Sequence, residues 1–415
     1  LRDRNRSVLP VIVVALGVIL TVVAHAWITG VMQGSIEFNA QFSTGHVKIM
    51  TNAYWENRSQ NPNDLALLNV ENLKSELHKR YPDMVWAERI IFGGLIDAPD
   101  ENGETKAQGP ASGFGIDLLS GDRDEIERFN IEKALKKGHL PQKNNEILIS
   151  NEFFKKLDIN IGAPVTLISS TMYGGMAIHN FTVAGTVEFG NIVMDRGCII
   201  ADINDVRRAL NMENATGELL GFFIDSDFNQ QRADSVISDF NAKFNKPDDE
   251  FSPVMCSLRD QNNMAVFVDF ADAMAGFISL IFIFAMSLVL WNAGLLSGLR
   301  RYGEFGVRLA IGEEKPHLYK TVIYESLMVG IIGSVIGTAI GILLALWLQN
   351  TGIDISNMMK EATLMMPTVM RAKVTTESYY LGFIPGVIST TIGSALAGIG
   401  IFKRKTAQLF KELES

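Results

Sequence analysis

Residues 326–353 read SLMVGIIGSVIGTAIGILLALWLQNTGI, a run of 28 residues without a charged side chain. A helix that spans a bilayer needs roughly 20 consecutive apolar residues, so this run is long enough to cross a membrane. Three more uncharged runs have the same character, at 7–36, 273–299 and 378–402. The sequence therefore predicts a membrane α-helical protein with four transmembrane helices, which we place at residues 7–36, 270–299, 321–349 and 378–402.

The composition of the 415 residues agrees with this interpretation, because 47% are hydrophobic although 20% are charged. So many charges can coexist with that apolar fraction only if the two kinds of residue are segregated along the chain. The two cysteines and the 12 prolines exclude a disulfide framework and a collagen-like chain.

A polar stretch of more than two hundred residues separates the first apolar run from the second. Short segments of alternating strand and helix character predict a large extracytoplasmic α+β domain at residues 37–265. Glycine, proline and aspartate crowd residues 97–122, which indicates an internal boundary. We therefore expect two lobes, one formed by 36–105 plus 212–265 and the other, inserted in it, by 106–211.

Two local expectations concern the inserted lobe. The charged segment from Arg123 to Lys137 predicts a helix that ends at Gly138. Cys198 and Cys256 could pair in an oxidising compartment, but Cys198 lies in an apolar strand where a free buried thiol is common. The sequence leaves both states of the cysteines open.

The charge of the large domain excludes one class of partner. Residues 35–265 carry 22 basic and 34 acidic side chains. Binding to nucleic acid needs clustered lysine and arginine to contact phosphates, and so acidic a domain does not supply them. We therefore expect no nucleic-acid partner.

Basic residues near the apolar runs predict the orientation in the membrane. Arg2, Arg4 and Arg6 precede the first run, and further basic clusters fill residues 300–320 and 403–415. With four spans all three clusters fall on one side, so both termini and the 300–320 loop are expected in the cytoplasm. The large domain and the short loop at 350–377 are then outside, and 403–415 is a cytoplasmic tail.

The first run also invites a different interpretation. The arginines, the apolar stretch and the segment Ala24-His25-Ala26 resemble a cleavable signal peptide. The apolar stretch continues past that site to Met32, however, and a signal peptide has only about 7–15 apolar residues. A retained transmembrane helix is the interpretation that we favour.

A search for catalytic or metal chemistry finds none in the sequence. The six histidines are scattered and have no second histidine or cysteine at ligand spacing. Neither a G-x-S-x-G elbow nor a phosphate-binding G-x-x-x-x-G-K-[ST] loop is present. We expect no catalytic, cofactor-binding or metal site in this chain, and no ATP hydrolysis by it.

The third apolar run carries glycines at a spacing that brings helices close together in lipid. Gly333, Gly337 and Gly341 recur every four residues, so they share one helix face. That face could pack within this chain, or against a second permease copy or a sister subunit. Because four helices make a thin bundle, the pattern slightly favours a dimer.

Residues 300–325, RRYGEFGVRLAIGEEKPHLYKTVIYE, predict a short amphipathic helix at the cytoplasmic surface of the membrane. Phe305, Leu309 and Ile311 are expected to form its apolar side. The opposite side is a charged row at positions i, i+3 and i+7, formed by Arg301, Glu304 and Arg308. Turns at Gly303, Gly306 and Gly312 would shape this segment into a docking surface.

The same segment resembles a known signature. Arg301-x-x-Glu304-Phe305-Gly306-x-x-x-Ala310-Ile311-Gly312 is similar to the R-x-x-E-[IF]-G-x-x-[RK]-A-x-G motif of FtsX-like permeases of ABC transporters. That family includes the MacB-type exporters and the lipoprotein-releasing permeases LolC and LolE. Leu309 departs from the motif, which has a basic residue there.

The resemblance extends to the layout of one helix, a large periplasmic domain and three further helices. Thr44-Gly45-His46-Val47-Lys48-Ile49 is similar to the segment that follows helix 1 in lipoprotein-releasing permeases, the members that the chain resembles most. By this resemblance the residues that couple to an ATPase are Arg300, Arg301, Glu304, Phe305, Gly306, Arg308, Ala310 and Gly312.

The resemblance also implies partners and a function. A separate cytosolic ABC ATPase dimer would bind ATP and magnesium, while this chain, in the bacterial inner membrane, would carry no cofactor. The implied function is extraction of lipoproteins from the inner membrane for transfer to the outer membrane. Efflux of amphiphilic small molecules with a periplasmic adaptor, and regulation of cell-wall hydrolases, are the alternatives.

Overall fold

The computed structural model describes residues 4–100, 102–189, 192–225, 228–355 and 369–403. The predicted tail at 403–415, beyond its first residue, and much of the predicted loop at 350–377 lie outside these ranges. The chain separates after Gly34 and after Val268 into two compact units, a membrane unit and a large domain.

The α-helices are α1 Arg4–Asn39, α2 Asn52–Glu56, α3 Val70–Arg80, α4 Asp124–Arg128, α5 Ile131–Ala134, α6 Asn151–Leu157, α7 Ile192–Asp195, α8 Ile203–Leu210, α9 Gln230–Phe244, α10 Met264–Leu299, α11 Tyr302–Ala310, α12 Lys315–Thr351 and α13 Thr390–Lys403. The strands are β1 Val47–Thr51, β2 Leu67–Leu68, β3 Met84–Pro99, β4 Thr105–Ile116, β5 Leu135–Gly138, β6 Glu146–Ser150, β7 Pro164–Ser170, β8 Met176–Val187, β9 Cys198–Asp202, β10 Ala215–Thr216, β11 Glu218–Phe223, β12 Pro253–Ser257, β13 Ile353–Asp354 and β14 Val369–Met370.

The membrane unit contains helices that are long and apolar enough to cross a bilayer. Such segments are Val8–Thr44, Met264–Leu299, Lys315–Thr351 and Thr376–Ile399. A helix of 36 residues, such as α1 or α10, rises about 54 Å, well beyond the roughly 30 Å of the hydrocarbon layer. The predicted class, a membrane α-helical protein with a large additional domain, agrees with this architecture.

The fourth of these segments is not a regular α-helix throughout. It begins with a 3₁₀ turn at Thr376–Tyr379, widens into a π-helical stretch at Ile384–Ser389 and becomes α-helical only in α13. Pro385 lies at the start of the π-helical stretch, where a residue without an N–H cannot continue the regular ladder. The hydroxyl of Thr390, the first residue of α13, donates to Gly386 O in this stretch at 2.6 Å.

The glycine face of α12 packs against α1 of the same chain. A Cβ atom on Gly337 would lie 2.6 Å from Ala15 O, and one on Gly333 would lie 2.7 Å from a methyl group of Val14. Gly341 has the same neighbour helix, through Val22. The structure thus gives the within-chain alternative for this face, and the glycines lend no support to the dimer that the sequence slightly favoured.

The large domain is built on one mixed sheet in the order β12-β1-β11-β3-β4-β9-β6-β8-β5, and β7 pairs with β3 and β8. Most neighbours are antiparallel, while β4 runs parallel to β9 and β6 parallel to β8. Helices and strands alternate along the chain, so the predicted α+β character of the domain agrees with the structure.

The division into lobes differs from the prediction. Trp86 of β3 belongs to one hydrophobic core, with Phe240 of α9, whereas Ile90 belongs to another, with Phe153 of α6. One strand therefore serves both cores, and any division falls inside β3 rather than between residues 105 and 106. A strand can do this because it pairs with β11 along its first part and with β4 along the rest.

The predicted boundary at 97–122 contains the strand β4 instead. Gly109 and Gly113 of this strand do not mark turns; each makes room for an aromatic ring that lies on the strand. A Cβ on Gly109 would lie 2.7 Å from the Phe153 ring, and the Phe92 ring occupies the place that a Cβ on Gly113 would need. Glycine is needed at these positions because the rings pack closely on the strand. The resulting glycine content made residues 97–122 resemble a linker.

Two further expectations are corrected or decided. The helix predicted from Arg123 to Lys137 is broken into α4, α5 and β5, because Asn130 has a φ of +52° and ends the helical path. Cys198 and Cys256 are both buried free thiols, so the open question of a disulfide is answered in the negative.

Candidate functional site

The predicted docking segment forms α11, which is fixed to the membrane unit by its apolar face. Phe305 is 1% exposed and packs with Tyr302, Leu318 and Val322. The Tyr302 hydroxyl donates to Ala397 O at 2.7 Å, so the helix is also bound to α13. Burial of an aromatic side chain combined with a directed hydrogen bond holds α11 in one orientation.

Arg301, the residue immediately before α11, connects this helix to α12 through an ion pair. Arg301 Nη1 lies 2.7 Å from Glu325 Oε2, and its Nε lies 3.3 Å from Glu304 Oε2. Both carboxylates are half-exposed, so the pairs contribute modest stability and mainly fix geometry. Arg301 and Glu304 are therefore used within the chain, to position α11.

A second arginine shapes the turn after α11. Arg308 donates from Nε and Nη2 to the two carboxylate oxygens of Glu313, at 2.6 and 2.8 Å. Between them Gly312 has a φ of +106°, a conformation that favours glycine. The bidentate pair and the glycine together hold residues 310–313 as a tight turn.

The turn exposes an apolar tip. Ile311 is 81% exposed, Val307 on α11 is 38% exposed, and Ala310 and Gly312 are also exposed. We call Val307, Ala310 and Ile311 the exposed tip. An isolated apolar side chain on a rigid turn suits insertion into a pocket of another protein.

Several details of the predicted surface are corrected. Ile311 does not share the buried face of Phe305 and Leu309, because the helix ends at Ala310 and the chain turns away. Gly303 and Gly306 lie inside α11 and form no turns, and Gly306 is buried in it. Arg300 is exposed after the end of α10. No group of three or more His, Cys, Asp or Glu side chains within the described ranges could hold a metal ion.

A second site of interest lies in the large domain, where the end of α1 enters it. After Asn39 the helix widens into a π-helical turn, Ala40–Thr44. The Phe42 ring in this turn packs against the rings of Phe129 at 4.7 Å, Phe189 at 6.0 Å and Phe114 at 6.4 Å between centroids. The turn is thus inserted into the aromatic core of the domain.

Arg89 of β3 binds the backbone of the same turn. The guanidinium, on a side chain 2% exposed, donates to Gln41 O at 2.7 Å and to Phe42 O at 2.8 Å. Its other edge donates to Glu125, with Nε 2.7 Å and Nη2 3.1 Å from the carboxylate oxygens. The carbonyls at the end of a helix carry partial negative charge, so a buried cation there is favourable.

The charge of Glu125 is set by these neighbours. Burial by itself raises the pKa of a carboxyl group, but the positive charges and hydrogen bonds of Arg89 and Arg128 hold the pKa of Glu125 below its ordinary value. We call Phe42, Arg89 and Glu125 the α1 junction. It joins the α1 end, β3 and α4 in a single buried network.

The two chain ends of the large domain also meet. His46 Nε2 lies 2.8 Å from Glu37 Oε2, and the Phe223 N–H donates to His46 Nδ1 at 2.9 Å. The Gln261 side chain, just before α10, donates to Thr44 O at 3.2 Å. Since β1 pairs with β12 as well, the segments that lead from α1 and into α10 are bonded to each other.

Sequence reasoning missed the α1 junction and the partners of the α11 arginines. Glu313 could have been found as an acidic residue only five positions after Arg308, whereas Glu325 lies 24 positions after Arg301 and offered no such signal. Arg89 offered one signal, since it and Glu88 are charged residues flanked by apolar ones in a strand segment, and a buried charge requires a partner. Phe42 and Glu125 offered none, because their contacts come from distant parts of the chain.

Comparisons with known proteins bear on both units. Residues 276–406 match the family model described as FtsX-like permease C-terminal. Over 251 residues the chain is 23% identical to the lipoprotein-releasing system transmembrane protein LolC of Haemophilus influenzae. The aligned region is 58% of this chain and 59% of LolC. The chain thus matches less than two thirds of the length of that relative.

A solved structure is similar to part of the chain as well. The periplasmic region of MacB from Actinobacillus actinomycetemcomitans aligns with 55% of this chain and 95% of that chain, at 13% identity and a TM-score of 0.37. The assignment depends on the sequence comparisons, since the family model covers α10 to α13 and the motif from Arg301 to Gly312. Residues 276–406 are thus similar to the FtsX-like permeases, and the similarity to LolC agrees with this match.

Proposed function

We propose that the chain is a permease subunit of a bacterial inner-membrane ABC transporter that couples a separate cytosolic ATPase to movement of the large domain in the periplasm. The observation that carries the proposal is α11, an anchored helix with an exposed apolar tip inside the matched family region. ATP and magnesium bind to the ATPase, and this chain contributes no catalytic group.

On the cytoplasmic side the exposed tip docks into the ATPase. Ile311 projects from a turn that Arg308 and Glu313 hold in shape. Movement of the ATPase surface reaches α12 through Arg301 and α13 through Tyr302, because both residues bond α11 to those helices. A bound nucleotide changes the arrangement only if it favours one conformation of the whole complex.

On the periplasmic side the α1 junction receives the movement. A displacement of the α1 end moves Phe42 within a close-packed aromatic core, and packed cores transmit such strain. Arg89 carries the same displacement to β3 and, through Glu125, to α4. The large domain therefore does mechanical work on a substrate that need not cross the bilayer centre.

For the substrate class, the LolC relative favours a lipoprotein that is extracted from the inner membrane. A second permease copy or a sister permease completes the complex. Efflux of amphiphilic small molecules and control of cell-wall hydrolases would use the same coupling. The three functions therefore differ only in the molecule on which the large domain acts, and identification of that molecule distinguishes them.

The test is to tag the chain, extract it from its native membrane in mild detergent and identify the co-purifying proteins by mass spectrometry. We expect an ABC ATPase and acylated lipoproteins. A periplasmic adaptor in place of the lipoproteins would favour efflux, and an intact complex without any ATPase would contradict the coupling proposal.

A matched pair of variants sharpens this experiment. Ile311→Asp places a charge on the exposed tip and should abolish recovery of the ATPase, whereas Ile311→Leu keeps an apolar side chain and should retain it. Equal recovery of the ATPase with both variants would remove the exposed tip from the proposal.

A further inference from the structure

Along its first six residues, Met84–Arg89, strand β3 is paired on one side only among the strands that the structure describes. On one side of this segment β11 forms an antiparallel ladder, from Arg89 with Glu218 to Met84 with Phe223. On the other side β4 pairs with β3 only from Ile90 onward. Among the described strands none continues along residues 84–89 on that side.

The hydrogen bonds of the ladder decide which polar groups this edge presents. Ile224 N–H donates to Asp83 O, so Asp83 directs its backbone polar groups at β11. Successive residues of a strand direct these groups to opposite sides, and every second residue after Asp83 therefore faces β11 as well. The N–H and C=O groups of Trp86 and Glu88 consequently point away from β11, toward the edge without a partner.

A cleft of about 170 Å³ opens along this edge. Residues Val85–Glu88 line it on the side of the sheet, while the chain that follows β4, residues 117–125, lines a second side. The start of α8 lines the third side, with Ile203 and Arg207. A strand laid beside Trp86 and Glu88 would lie in this cleft.

The cleft is acidic even after its own cations are counted. Its cations are already paired with carboxylates of the same cleft: Lys74 with Glu88 at 3.1 Å, Arg207 with Glu88, and Arg128 with Asp124 at 2.6 Å. Two more carboxylates remain, on Asp117 and Asp122. Neither forms an ion pair with any residue that the structure describes. A basic side chain of an incoming segment would complement them.

We propose that this edge binds an extended basic peptide segment of a partner protein, which adds to the sheet as a short strand. The backbone of the segment exchanges hydrogen bonds with Trp86 and Glu88, as in other cases of strand addition. A lysine or arginine of the segment lies against Asp117 and Asp122. This inference does not depend on the proposed function, because the edge of β3 can bind a peptide whether or not the chain is coupled to an ATPase.

The test uses the full chain in a neutral detergent and a fluorescein-labelled probe peptide, acetyl-VKVKVKV-amide, with binding followed by fluorescence anisotropy. We expect saturable binding of this peptide. Binding of acetyl-VEVEVEV-amide should be about tenfold weaker, because its glutamates are repelled by the acidic cleft whereas the lysines of the first peptide are attracted to it. A third peptide, with N-methyl groups on alternate residues, lacks the donors that a strand needs and should not bind.

Variants separate the cleft from general attraction of a basic peptide to an acidic protein. Asp117→Asn combined with Asp122→Asn should weaken binding of the basic probe about threefold or more. Asp64→Asn combined with Asp248→Asn removes the same charge at exposed positions elsewhere in the domain and should leave binding unchanged. Equal binding by the two double variants would overturn the proposal.

Amide hydrogen exchange provides the second readout. The amides of Trp86 and Glu88 should exchange more slowly when the probe peptide is bound, whereas the Ala87 amide, which faces β11, should change little. Unchanged exchange at Trp86 and Glu88 in the presence of saturating probe, or full binding of the N-methylated peptide, would rule out strand addition at this edge.

Discussion

Arg89 Nε lies 2.7 Å from Glu125 Oε2, and this ion pair closes a buried network around the backbone of the α1 end. Breaking a buried pair by removal of one partner typically costs about 3–5 kcal/mol, because the other charge is left without compensation. The pair is therefore a sensitive position for testing the α1 junction.

The first prediction concerns pH. The pKa of Glu125 is lowered in the folded domain, so its contribution to stability is present above the ordinary pKa of 4.5 and is lost as the pH falls through the lowered folded value. We expect the free energy of unfolding of the wild-type chain to fall in acid more steeply than that of Glu125→Gln. Chemical denaturation at a series of pH values measures both. Identical slopes for the two proteins would mean that Glu125 is not held in its charged form.

The second prediction concerns Phe42. Replacement by alanine removes the aromatic ring from contact with Phe129 and its neighbours, and should lower the stability of the large domain by about 1.5–3 kcal/mol. Phe251→Ala is the control, since that ring is 56% exposed and its loss should change stability by less than about 0.5 kcal/mol. Denaturant unfolding compares the two, and an equal effect would show that the π-helical turn is not anchored by its ring.

A third prediction tests the connection of α11 to α12. Arg301→Glu places two carboxylates together at Glu325 and should reduce ATPase stimulation in the purified complex, while membrane insertion stays normal. The double variant Arg301→Glu with Glu325→Arg restores opposite charges and should recover part of the stimulation. Full activity of the single variant would exclude a coupling role for Arg301.

The glycine face of α12 yields a fourth prediction. Gly337→Ala places a methyl group 2.6 Å from Ala15 O and should destabilise the membrane unit by about 1–3 kcal/mol. Gly276→Ala in α10 is the matched control, because a Cβ there meets nothing within 4 Å and alanine is the better helix former. Thermal unfolding in detergent should separate them, and equal midpoints would contradict the close packing of α12 on α1.

The fifth prediction concerns the cysteines. Burial raises the pKa of Cys256 to about 12 and also raises that of Cys198, so neither thiol is a thiolate near neutral pH. We expect intact-mass spectrometry to show two free thiols, which iodoacetamide modifies only after unfolding. A mass lower by two hydrogens would indicate a disulfide and contradict the structure.

The membrane helices could be predicted from the sequence because their signal is local. About 20 consecutive residues within 326–353 are enough to predict a spanning helix, and this prediction requires no information from the rest of the chain. The motif from Arg301 to Gly312 was equally local, so the position of α11 followed from it.

The remaining features depend on contacts between distant residues. Glycines at 109 and 113 looked like a boundary until the rings of Phe153 and Phe92 were seen to lie on them. Ile311 was assigned to the buried face because helical periodicity was extended one residue too far, past the end of α11. No pattern in the sequence could show that Phe42 meets Phe129, 87 residues away.

The sharing of β3 between the two cores limits how this protein can be cut or taken apart. At about 3.3 Å per residue the 16-residue strand is roughly 53 Å long, and both cores lose packing if it frays. Excision of residues 106–211 would strip β4 from Ile90–Pro99 and leave a long aggregation-prone edge. We therefore expect the large domain to unfold as one cooperative unit, and limited proteolysis to release no stable half of it.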